Sequence, residues 1–406
     1  MNPLNPRVGI VALVPDHWEG YWQPRQQVLT RLARYFNVVW VNPAEELRKV
    51  SVRNRTETYF EPNPGFTVYY PEPWLPVLHR PGILADLTLK KRLEHAGRFL
   101  ESRGVTSKVL YIWRPNFERS LELGAYDLSC YHVDDEYSFS DIELPVQERE
   151  IRILSKVSQV FVHSPGLMER LSRYNRNTDM VPNGVDFQAY SRPMPEPEDL
   201  ANIPRPRIGY TGWLKKQLDW PLLLHLTERH PEWSFIFIGP VGPHKDVDEP
   251  ISRLRQRKNV YMLGPKSKTD LPMYPQHFDV CLMPYISNHY TNHIYPLKLH
   301  EYMAAGRPSV GTRIRTLEDF KDYITLAITQ EEWSIGIARA LSPEANTMAE
   351  IEKRHKVAEQ HDWDILVARI AQTMSSRLGI GIVDSASDFV DPYQHSMPKS
   401  VLRGAI

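Results

Sequence analysis

The chain of 406 residues has no net charge, because 49 Lys and Arg side chains balance 49 Asp and Glu side chains. This balance argues against a nucleic-acid-binding protein that relies on a generally basic surface. Cysteine is scarce: Cys130 and Cys281 lie far apart in apolar surroundings. We therefore expect buried thiols in a reducing compartment and neither a disulfide nor a zinc site. The sequence also lacks an apolar run of the ~18 residues that span a membrane and lacks a signal peptide, so we expect a cytoplasmic protein.

A Gly-x-Gly-x-x-Gly motif after the first predicted strand is also lacking, which makes a dinucleotide-dependent dehydrogenase the least favoured enzyme class. What the chain does contain is an alternation of short β-branched runs with longer amphipathic stretches, which is typical of parallel sheets covered by helices. Predicted elements include strands at Val8 to Val14 and Val109 to Trp113 and a helix over Leu87 to Ser102. A Pro-rich run, 192–206, is the predicted linker, after which the strand and helix cycle restarts.

The segment 295–308 is the most informative stretch, since it combines a Pro able to open a helix, two ionic side chains and a Gly able to end it. Lys298 and Glu301 are three residues apart and so project from one face near the predicted helix start. There the free N–H groups and Lys298 suit a diphosphate, while the Glu301 carboxylate suits a ribose diol. The alternative is an ordinary amphipathic helix with an ion pair.

This segment resembles the nucleotide-sugar motif of GT-B glycosyltransferases, in particular the large family-four-like group with the pattern P-x-K-x-x-E-Y-x-A-x-G-x-P. The positions that match are Pro296, Lys298, Glu301, Tyr302, Ala304, Gly306 and Pro308.

One position departs from that pattern. Many relatives carry two glutamates separated by seven residues, the first contacting the donor sugar, whereas His293 stands at the first position here. This departure leaves both the sugar contact and a retaining stereochemistry open.

The resemblance implies an α/β fold of two Rossmann-like doubly wound domains that face a cleft. We expect an acceptor-binding domain over residues 1–195, a nucleotide-sugar domain over 204–360, a helix at 361–376 that crosses back to the first domain, and a loosely held tail at 379–406. The segment 182–186, Pro-Asn-Gly-Val-Asp, is similar to the element that precedes the linker in these enzymes, although Asn-Gly is also simply a good turn.

Further donor-side residues follow from the loops after predicted strands of the second domain. Gly212 lets the backbone approach a phosphate, and Lys215 or Lys216 can neutralise it, although these lysines are equally consistent with a solvated loop. Gly239 and Gly264 end strands that face the nucleotide base in the resembled enzymes, but glycine at a strand end is common in any α/β protein.

A catalytic base is expected in the first domain, where the run Tyr131 to Tyr137 begins as a strand and continues into acidic residues. Repulsion between the adjacent carboxylates is expected to raise one pKa enough for proton abstraction. The run also resembles a Tyr-x-x-Asp-Asp-Tyr run of related transferases. In the inverting relatives a first-domain Asp deprotonates the acceptor hydroxyl, and the resemblance implies that role for Asp134 or Asp135. The alternatives are helix capping by Asp135 and Glu136, and His132 as the base.

The loop after the first strand is rich in aromatic residues, and Trp18, Trp22 and Arg25 are the predicted acceptor-side residues. Rings at a cleft mouth stack on sugars, although they also pack loops onto a core. A second aromatic and Pro-rich segment, 71–80, leads into a helix that carries Lys90, Lys91 and Arg92. This composition suits peripheral contact with an anionic membrane, and a charged helix face explains it as well.

Together these features predict a glycosyltransferase that moves a sugar from a nucleoside diphosphate, UDP, to a glycan or lipid-linked acceptor, without metal or other cofactor and without nucleic acid as a partner. It would act in the cytoplasm, at the inner face of the membrane. Three alternatives remain: a nonhydrolysing sugar-nucleotide epimerase, a non-catalytic sugar-nucleotide-binding protein, and a metal-dependent GT-A transferase. The last is disfavoured because the acidic run at 134–136 is contiguous and precedes the nucleotide motif.

Overall fold

A computed structural model of the chain describes residues 3–20, 22–44, 57–78, 82–135, 147–242 and 247–381. Glu136, Tyr137, and almost all of the predicted tail lie outside these residues. Within them, two sheets are present. The first consists of eight strands, in chain order β1 Val8–Leu13, β2 Asn37–Val41, β3 Tyr59–Asn63, β4 Phe66–Tyr69, β5 Ser107–Ile112, β6 Leu128–Val133, β7 Gln159–Val162 and β8 Thr178–Met180.

The spatial order of this sheet is β3-β4-β2-β1-β5-β6-β7-β8, and every pair is parallel except β3 with β4. The β1, β2, β5 and β6 segments are apolar runs buried on both faces, as parallel strands between helix layers require. Their carboxyl ends meet at one edge, so the loops after β1, β6 and β7 lie near one another there.

The second sheet contains, within the described residues, six parallel strands in the order β11-β10-β9-β12-β13-β14. This order reverses beside β9, where an open α/β sheet forms its ligand crevice. The strands are β9 Arg207–Thr211, β10 Ser234–Ile238, β11 Val260–Gly264, β12 Val280–Met283, β13 Ser309–Thr312 and β14 Thr325–Ala327. The two sheets confirm the predicted α/β architecture.

Helices cover both faces of each sheet. They are α1 Pro24–Leu32, α2 Gly82–Ser102, α3 Ser120–Leu123, α4 Glu148–Lys156, α5 Pro165–Leu171, α6 Phe187–Ser191, α7 Glu198–Ala201, α8 Trp220–Arg229, α9 Asp248–Arg255, α10 Met273–Gln276, α11 Leu297–Ala304, α12 Arg315–Glu318, α13 Gln330–Ala340, α14 Met348–Gln360 and α15 Trp363–Leu378. No helix of the described residues is long and apolar enough to cross a membrane.

The chain passes between the sheets twice, and the two passages pair with each other. Val185 bridges Asp362, with backbone hydrogen bonds from Val185 N to His361 O and from Trp363 N to Val185 O. From this point α15 packs back on the first sheet, where Val367, Ile370 and other residues of its buried face share a core with β1 and α1. The same helix is therefore part of the first domain's core although it ends the second domain in sequence.

Several predicted boundaries differ from the structure. The helix predicted at Leu87 starts at Gly82, and the strand predicted at 109–113 spans 107–112. The predicted linker contains a short helix, α7. The hairpin of β3 and β4 was not predicted. Strand β3 contains Pro and Asn and pairs with β4, whereas β4, Phe-Thr-Val-Tyr, consists of strand-forming residues and pairs with β2. Both cysteines are free and buried, as expected.

Candidate active site

The helix α11 begins where Pro296 adopts an extended conformation, with φ −66° and ψ 122°, and no side chain of the Pro296 cap position bonds to the first N–H groups of the helix. Leu299 and Met303 anchor its apolar face in the second core. Gly306, with φ 70°, ends the helix, since the Gly306 N–H bonds to Met303 O and the next N–H bonds to Tyr302 O. Local sequence chemistry therefore fixes both ends of the predicted donor helix.

Lys298 points from the first turn of α11 toward the loop after β9. Its Nζ lies 4.9 Å from the centroid of the Tyr210 ring and lies against Gly212, where an added Cβ would be 2.5 Å away. Burial lowers the pKa of Lys298 to about 8, opposed by the Glu301 carboxylate and assisted by the Lys215 charge. The ammonium is thus held in a desolvated position that an anion would stabilise.

Glu301 lies one turn further along the same face. Burial raises the pKa of its carboxyl group, while Lys298 and a hydrogen bond from the Tyr190 hydroxyl act in the opposite direction. Its neighbour Tyr302 accepts a hydrogen bond of 2.9 Å from Thr211 N. This bond attaches the end of β9 to α11.

The three predicted donor-side glycines lie at adjacent strand ends and all have positive φ, 129° at Gly212, 139° at Gly239 and 69° at Gly264. A Cβ on Gly239 would be 2.2 Å from the Gly212 carbonyl oxygen, so the two loops touch through their backbones. Gly239 N donates to Gly264 O at 2.9 Å. Glycine is required for this close approach of the two loops, in which Gly212 N also donates to Ile238 O at 2.7 Å.

Lys215 follows on the loop after β9 and faces the first domain. Burial lowers the pKa of its ammonium, and Asp135 opposes that shift. The adjacent Lys216 is only partly buried. Lys215 and Lys298 are close enough to influence each other, so two cations converge between the glycine loops and the first domain.

The two candidate bases have different surroundings. Asp134 pairs with Arg25 at 2.8 Å, and Arg25 also pairs with Asp16, which places the predicted acceptor-side arginine beneath the acid pair. Asp135 instead has Tyr290 and Lys215 of the second domain among the groups that lower its pKa. Burial, followed by the Asp134 charge, raises the pKa of Asp135. Asp135 is thus the carboxylate that faces the nucleotide domain.

His132 is buried and fully engaged. Its Nδ1 lies 2.9 Å from the Tyr111 hydroxyl, and its ring stacks on Trp113 at 4.2 Å. Burial lowers the pKa of His132 to about 3. This imidazole is therefore neutral at ordinary pH and packs in the core against Tyr111 and Trp113.

The two predicted acceptor-side tryptophans lie in different settings. Trp18 packs edge-on to Trp40 at 5.6 Å and against Phe66 at 4.9 Å, and its backbone N–H bonds to Asn42. It holds the loop on the core. Trp22 instead lies under Lys268 of the second domain, with Nζ 3.5 Å from the ring centroid. Of the two rings, Trp22 is the one at the boundary between the domains.

Sequence reasoning missed Tyr290, Tyr190 and His163, which surround the acidic side chains. His163 directly follows β7 and donates from Nδ1 to Val133 O at 3.0 Å, beside the aspartates. No local pattern marks these residues, because each reaches the site from a loop or helix far away in sequence.

Asp-x-Asp spacing does occur outside the acidic run, at 246–248 and 362–364. Asp362 accepts the backbone N–H groups of Phe187 at the start of α6 and of Asp364 at the start of α15. Asp364 pairs with Arg31 and Arg34. Asp246 lies outside the described residues. In the described part of the chain, no three His, Cys, Asp or Glu side chains gather as metal ligands would.

Part of the chain is similar to a known protein family. Residues 205–342 match the model of a family described as glycosyl transferases group 1. A protein of Bacillus subtilis (strain 168), named as a candidate teichuronic acid biosynthesis glycosyltransferase (TuaH), is 25% identical over 234 residues. That match covers 55% of this chain, and the chain spans 58% of the length of that relative.

Solved structures share the fold over nearly the whole chain. Sucrose-phosphate synthase from Thermosynechococcus elongatus has a TM-score of 0.69 at 17% identity, covering 92% of this chain and 99% of the other. An E. coli structure described as trehalose-6-phosphate bound with UDP-2-fluoro glucose has a TM-score of 0.68 at 13% identity, covering 92% of this chain and 99% of the other. Anabaena HepE in complex with UDP and glucose has a TM-score of 0.61 at 16% identity, covering 91% of this chain and 99% of the other.

Proposed function

We propose that the protein transfers a sugar from a UDP-sugar to a hydroxyl group of a glycan or lipid-linked acceptor, because residues 205–342 match the model of the glycosyl transferases group 1 family and the chain has the GT-B fold. The observation that carries this proposal is the meeting of Asp135 from the first domain with Lys215 and Tyr290 from the second. A base and a cationic phosphate site face each other there across one cleft.

The donor would lie along the carboxyl edge of the second sheet. The start of α11, Lys298 and Lys215 would hold the diphosphate, and the glycine loops would let it approach the backbone. Glu301 would accept hydrogen bonds from the ribose hydroxyls. These charges are fixed before the reaction, so they stabilise the developing negative charge on the leaving UDP. We propose that this arrangement works without a metal ion.

In the proposed step, the acceptor oxygen attacks the anomeric carbon, the bond to UDP breaks with its electron pair going to the diphosphate, and Asp135 takes the acceptor proton. The raised pKa of Asp135 suits a base that works near neutral pH. Asp134 would position Asp135 through its bond to Arg25. A single displacement of this kind inverts the anomeric configuration.

His293 does not replace the glutamate chemistry of the pattern. Its Nδ1 donates to His289 O at 2.7 Å, and its own carbonyl accepts from Ser164 Oγ at 2.5 Å. The histidine therefore fixes the loop before α11 and offers the donor sugar at most a ring nitrogen, with no anionic oxygen. This difference supports the base on the first domain.

The test measures UDP release from a panel of UDP-sugars with lipid-linked and free oligosaccharide acceptors, in the presence of EDTA. We expect Asp135→Asn to lower kcat by about two orders of magnitude or more with little change in UDP affinity, because the amide keeps the shape and cannot take a proton. Asp134→Asn should lower kcat by a smaller factor, since the Asn side chain retains an oxygen that can accept from Arg25.

Full activity of Asp135→Asn, or retention of configuration in the product, would contradict this assignment and indicate that the leaving phosphate takes the proton. Loss of all activity in EDTA, restored by magnesium or manganese, would contradict the metal-free proposal. Interconversion of UDP-sugars without acceptor would indicate an epimerase, and UDP binding without turnover a binding protein.

We also propose that the protein works in the cytoplasm against the inner face of a membrane. Ile83, Leu84 and Leu87 are 83%, 46% and 50% exposed on the first turns of α2, and Trp74 is 65% exposed in the preceding loop. Apolar side chains of this kind, beside exposed Lys90, suit the interface of an anionic bilayer. Arg92, which was grouped with them from sequence, is instead buried.

A further inference from the structure

A group of polar side chains lies where α2 passes the end of β4 in the first domain. The Tyr69 hydroxyl donates to Glu72 Oε2 at 2.6 Å, and the other oxygen of Glu72 accepts from His95 Nδ1 of α2 at 2.9 Å. Because its Nδ1 is bound to the carboxylate, the imidazole has a fixed direction. Its second nitrogen, Nε2, has no hydrogen-bond partner among the described residues.

One turn before His95 on the same helix, Arg92 is a cation without a partner. It lies on the buried face of α2 with Leu93 and Ala96 and is only 9% exposed. Within the part of the chain that the structure describes, its guanidinium has neither an ion pair nor a hydrogen bond, and burial lowers its pKa. A largely desolvated guanidinium of this kind reduces the stability of the fold unless an anion binds to it.

Arg92 and His95 are three residues apart, so their side chains are neighbours on one side of α2. The guanidinium nitrogens of Arg92 and Nε2 of His95 keep access to solvent, so a ligand can reach them. A guanidinium fork and the Nε2–H group of a protonated imidazole together offer several donors to one anion. A phosphate group, with oxygen atoms on several sides, matches that arrangement.

The helix also indicates the depth at which such an anion would lie. Leu87 is the last of the exposed apolar side chains on the first turns of α2. At a rise of 1.5 Å per residue, Arg92 lies about 7.5 Å beyond Leu87 along the helix axis. The headgroup region of one leaflet is about 5–8 Å thick. An upright α2 with its apolar tip in the hydrocarbon would therefore bring Arg92 to the level of the lipid phosphates.

We propose that Arg92 and His95 form a binding site for a phosphate group carried by a lipid, and that Glu72 positions the imidazole in this site. The site rests on the proposed function, in which α2 meets a bilayer and the acceptor is linked to a lipid. The Glu72 carboxylate is engaged by Tyr69 and His95, whose hydrogen bonds offset part of its repulsion on an incoming phosphate.

This site lies at the edge of the first sheet where the acceptor is expected. Tyr69 is the last residue of β4, and the parallel strand β1, two positions away in the sheet, ends at the same edge and leads into the aromatic loop. The Tyr70 hydroxyl donates to Glu19 of that loop at 2.6 Å. A lipid phosphate held by Arg92 would therefore place the attached glycan beside the predicted acceptor-side residues.

The direct test titrates the protein with hexyl phosphate in saturating UDP, which keeps the probe out of the donor site. Arg92→Met retains a long side chain and removes the guanidinium. We expect this variant to bind hexyl phosphate roughly tenfold or more weakly. Its melting temperature should stay equal or rise, because an apolar chain replaces an unpaired cation in a buried position.

Two further variants accompany this measurement. Arg98→Met is the matched control, since it makes the same change at an exposed position of α2, where Arg98 pairs only with Glu94 at 3.8 Å. It should change neither probe affinity nor melting temperature. His95→Phe keeps a ring beside Trp74, which packs edge-on to His95 at 5.9 Å. It should lower probe affinity by a smaller factor than Arg92→Met.

Two comparisons identify the source of the phosphate. In the first, Arg92→Met should raise KM roughly tenfold for a glycan linked to its lipid through phosphate, with kcat and the KM of the same glycan on an uncharged lipid unchanged. In the second, the variant is sedimented with vesicles of phosphatidylcholine and phosphatidic acid that contain no acceptor. Unchanged sedimentation assigns the site to the acceptor phosphate, and reduced sedimentation assigns it to a phospholipid headgroup.

Wild-type protein that does not bind hexyl phosphate, or folded Arg92→Met that binds it equally well, would overturn the proposal. A lower melting temperature of Arg92→Met with equal increases of KM for both acceptors would overturn it as well, because Arg92 would then only support the fold. Unchanged probe affinity in His95→Phe would remove the imidazole from the site. Failure of the proposed function is recognised separately, as absence of turnover with every acceptor, whereas the titration with hexyl phosphate needs no turnover.

Discussion

Lys298 shows how a single side chain can be poised for an anion. Its pKa of about 8 is caused mainly by burial, and Lys215 adds repulsion, so the protein keeps a cation where it is poorly solvated. Glu301 opposes that shift from the same helix face. Lys298 and Glu301 could have formed an ordinary surface pair. Instead, both are desolvated at the edge of the sheet, which is the pattern of a binding site.

We predict that Lys298→Ala weakens UDP binding by about 1.5–3 kcal/mol, because it removes a charge-assisted contact to the diphosphate. The pH dependence provides a sharper test. A bound diphosphate raises the pKa of Lys298, so the complex holds a proton that the free protein loses above pH 8. UDP affinity in the wild type should therefore fall as the pH rises from 7 to 9.

Calorimetric titration at several pH values measures both effects. In Lys298→Ala the fall of affinity above pH 8 should be much reduced, whereas Lys356→Ala, on an exposed face of α14, should behave as the wild type. Equal UDP affinity in Lys298→Ala and the wild type would remove this residue from the donor site.

At the scale of elements, the donor edge depends on two loops that touch through their backbones. We predict that Gly239→Ala abolishes or strongly weakens UDP binding, because the added methyl group collides with the Gly212 carbonyl and forces the loop after β9 away from α11. Gly104→Ala, between α2 and β5 of the first domain, is the matched control, since Gly104 also has a positive φ, 83°, and no atom lies within 4 Å of the added Cβ.

Both variants should lose about 1 kcal/mol or more of stability from the unfavourable φ alone. Only Gly239→Ala should lose UDP affinity beyond that common effect, measured by titration of samples shown to be folded. Similar affinities in the two variants would mean that the contact between the loops does not shape the site.

The elements that sequence predicted best are those whose signals are local. Pro296 and Gly306 define α11 by backbone chemistry alone, and the apolar runs of β1 and β5 define strands. Strand β3, which contains Pro and Asn, and the different surroundings of Asp134 and Asp135 were not predictable. These surroundings depend on Arg25, over a hundred residues earlier, and on Lys215 and Tyr290, which influence Asp135 only because the two domains meet.

At the scale of the whole molecule, the topology places the exposed apolar surface and the candidate base at the same edge. Strand β4 runs parallel to β2 and β6 runs in the same direction, so the start of α2 and Asp135 both follow carboxyl ends of the first sheet. Four strand spacings separate β4 from β6, a lateral distance of about 20 Å. An acceptor anchored in a bilayer beneath α2 could thus present its sugar to Asp135.

This placement yields the last prediction, which concerns Leu84 and Leu87. If the start of α2 enters a bilayer, each of these side chains contributes up to about 1.5–3 kcal/mol when fully transferred from water. The double variant Leu84→Glu and Leu87→Glu should therefore lose binding to vesicles of phosphatidylcholine and phosphatidylglycerol by roughly tenfold or more, measured by co-sedimentation. Turnover of a short, water-soluble acceptor should be unchanged, because both residues lie far from Asp135.

Ile335→Glu, at an exposed position on α13 of the second domain, should bind vesicles as the wild type does. Wild-type protein that stays in the supernatant with these vesicles, or a double variant that sediments equally well, would contradict a membrane role for this surface.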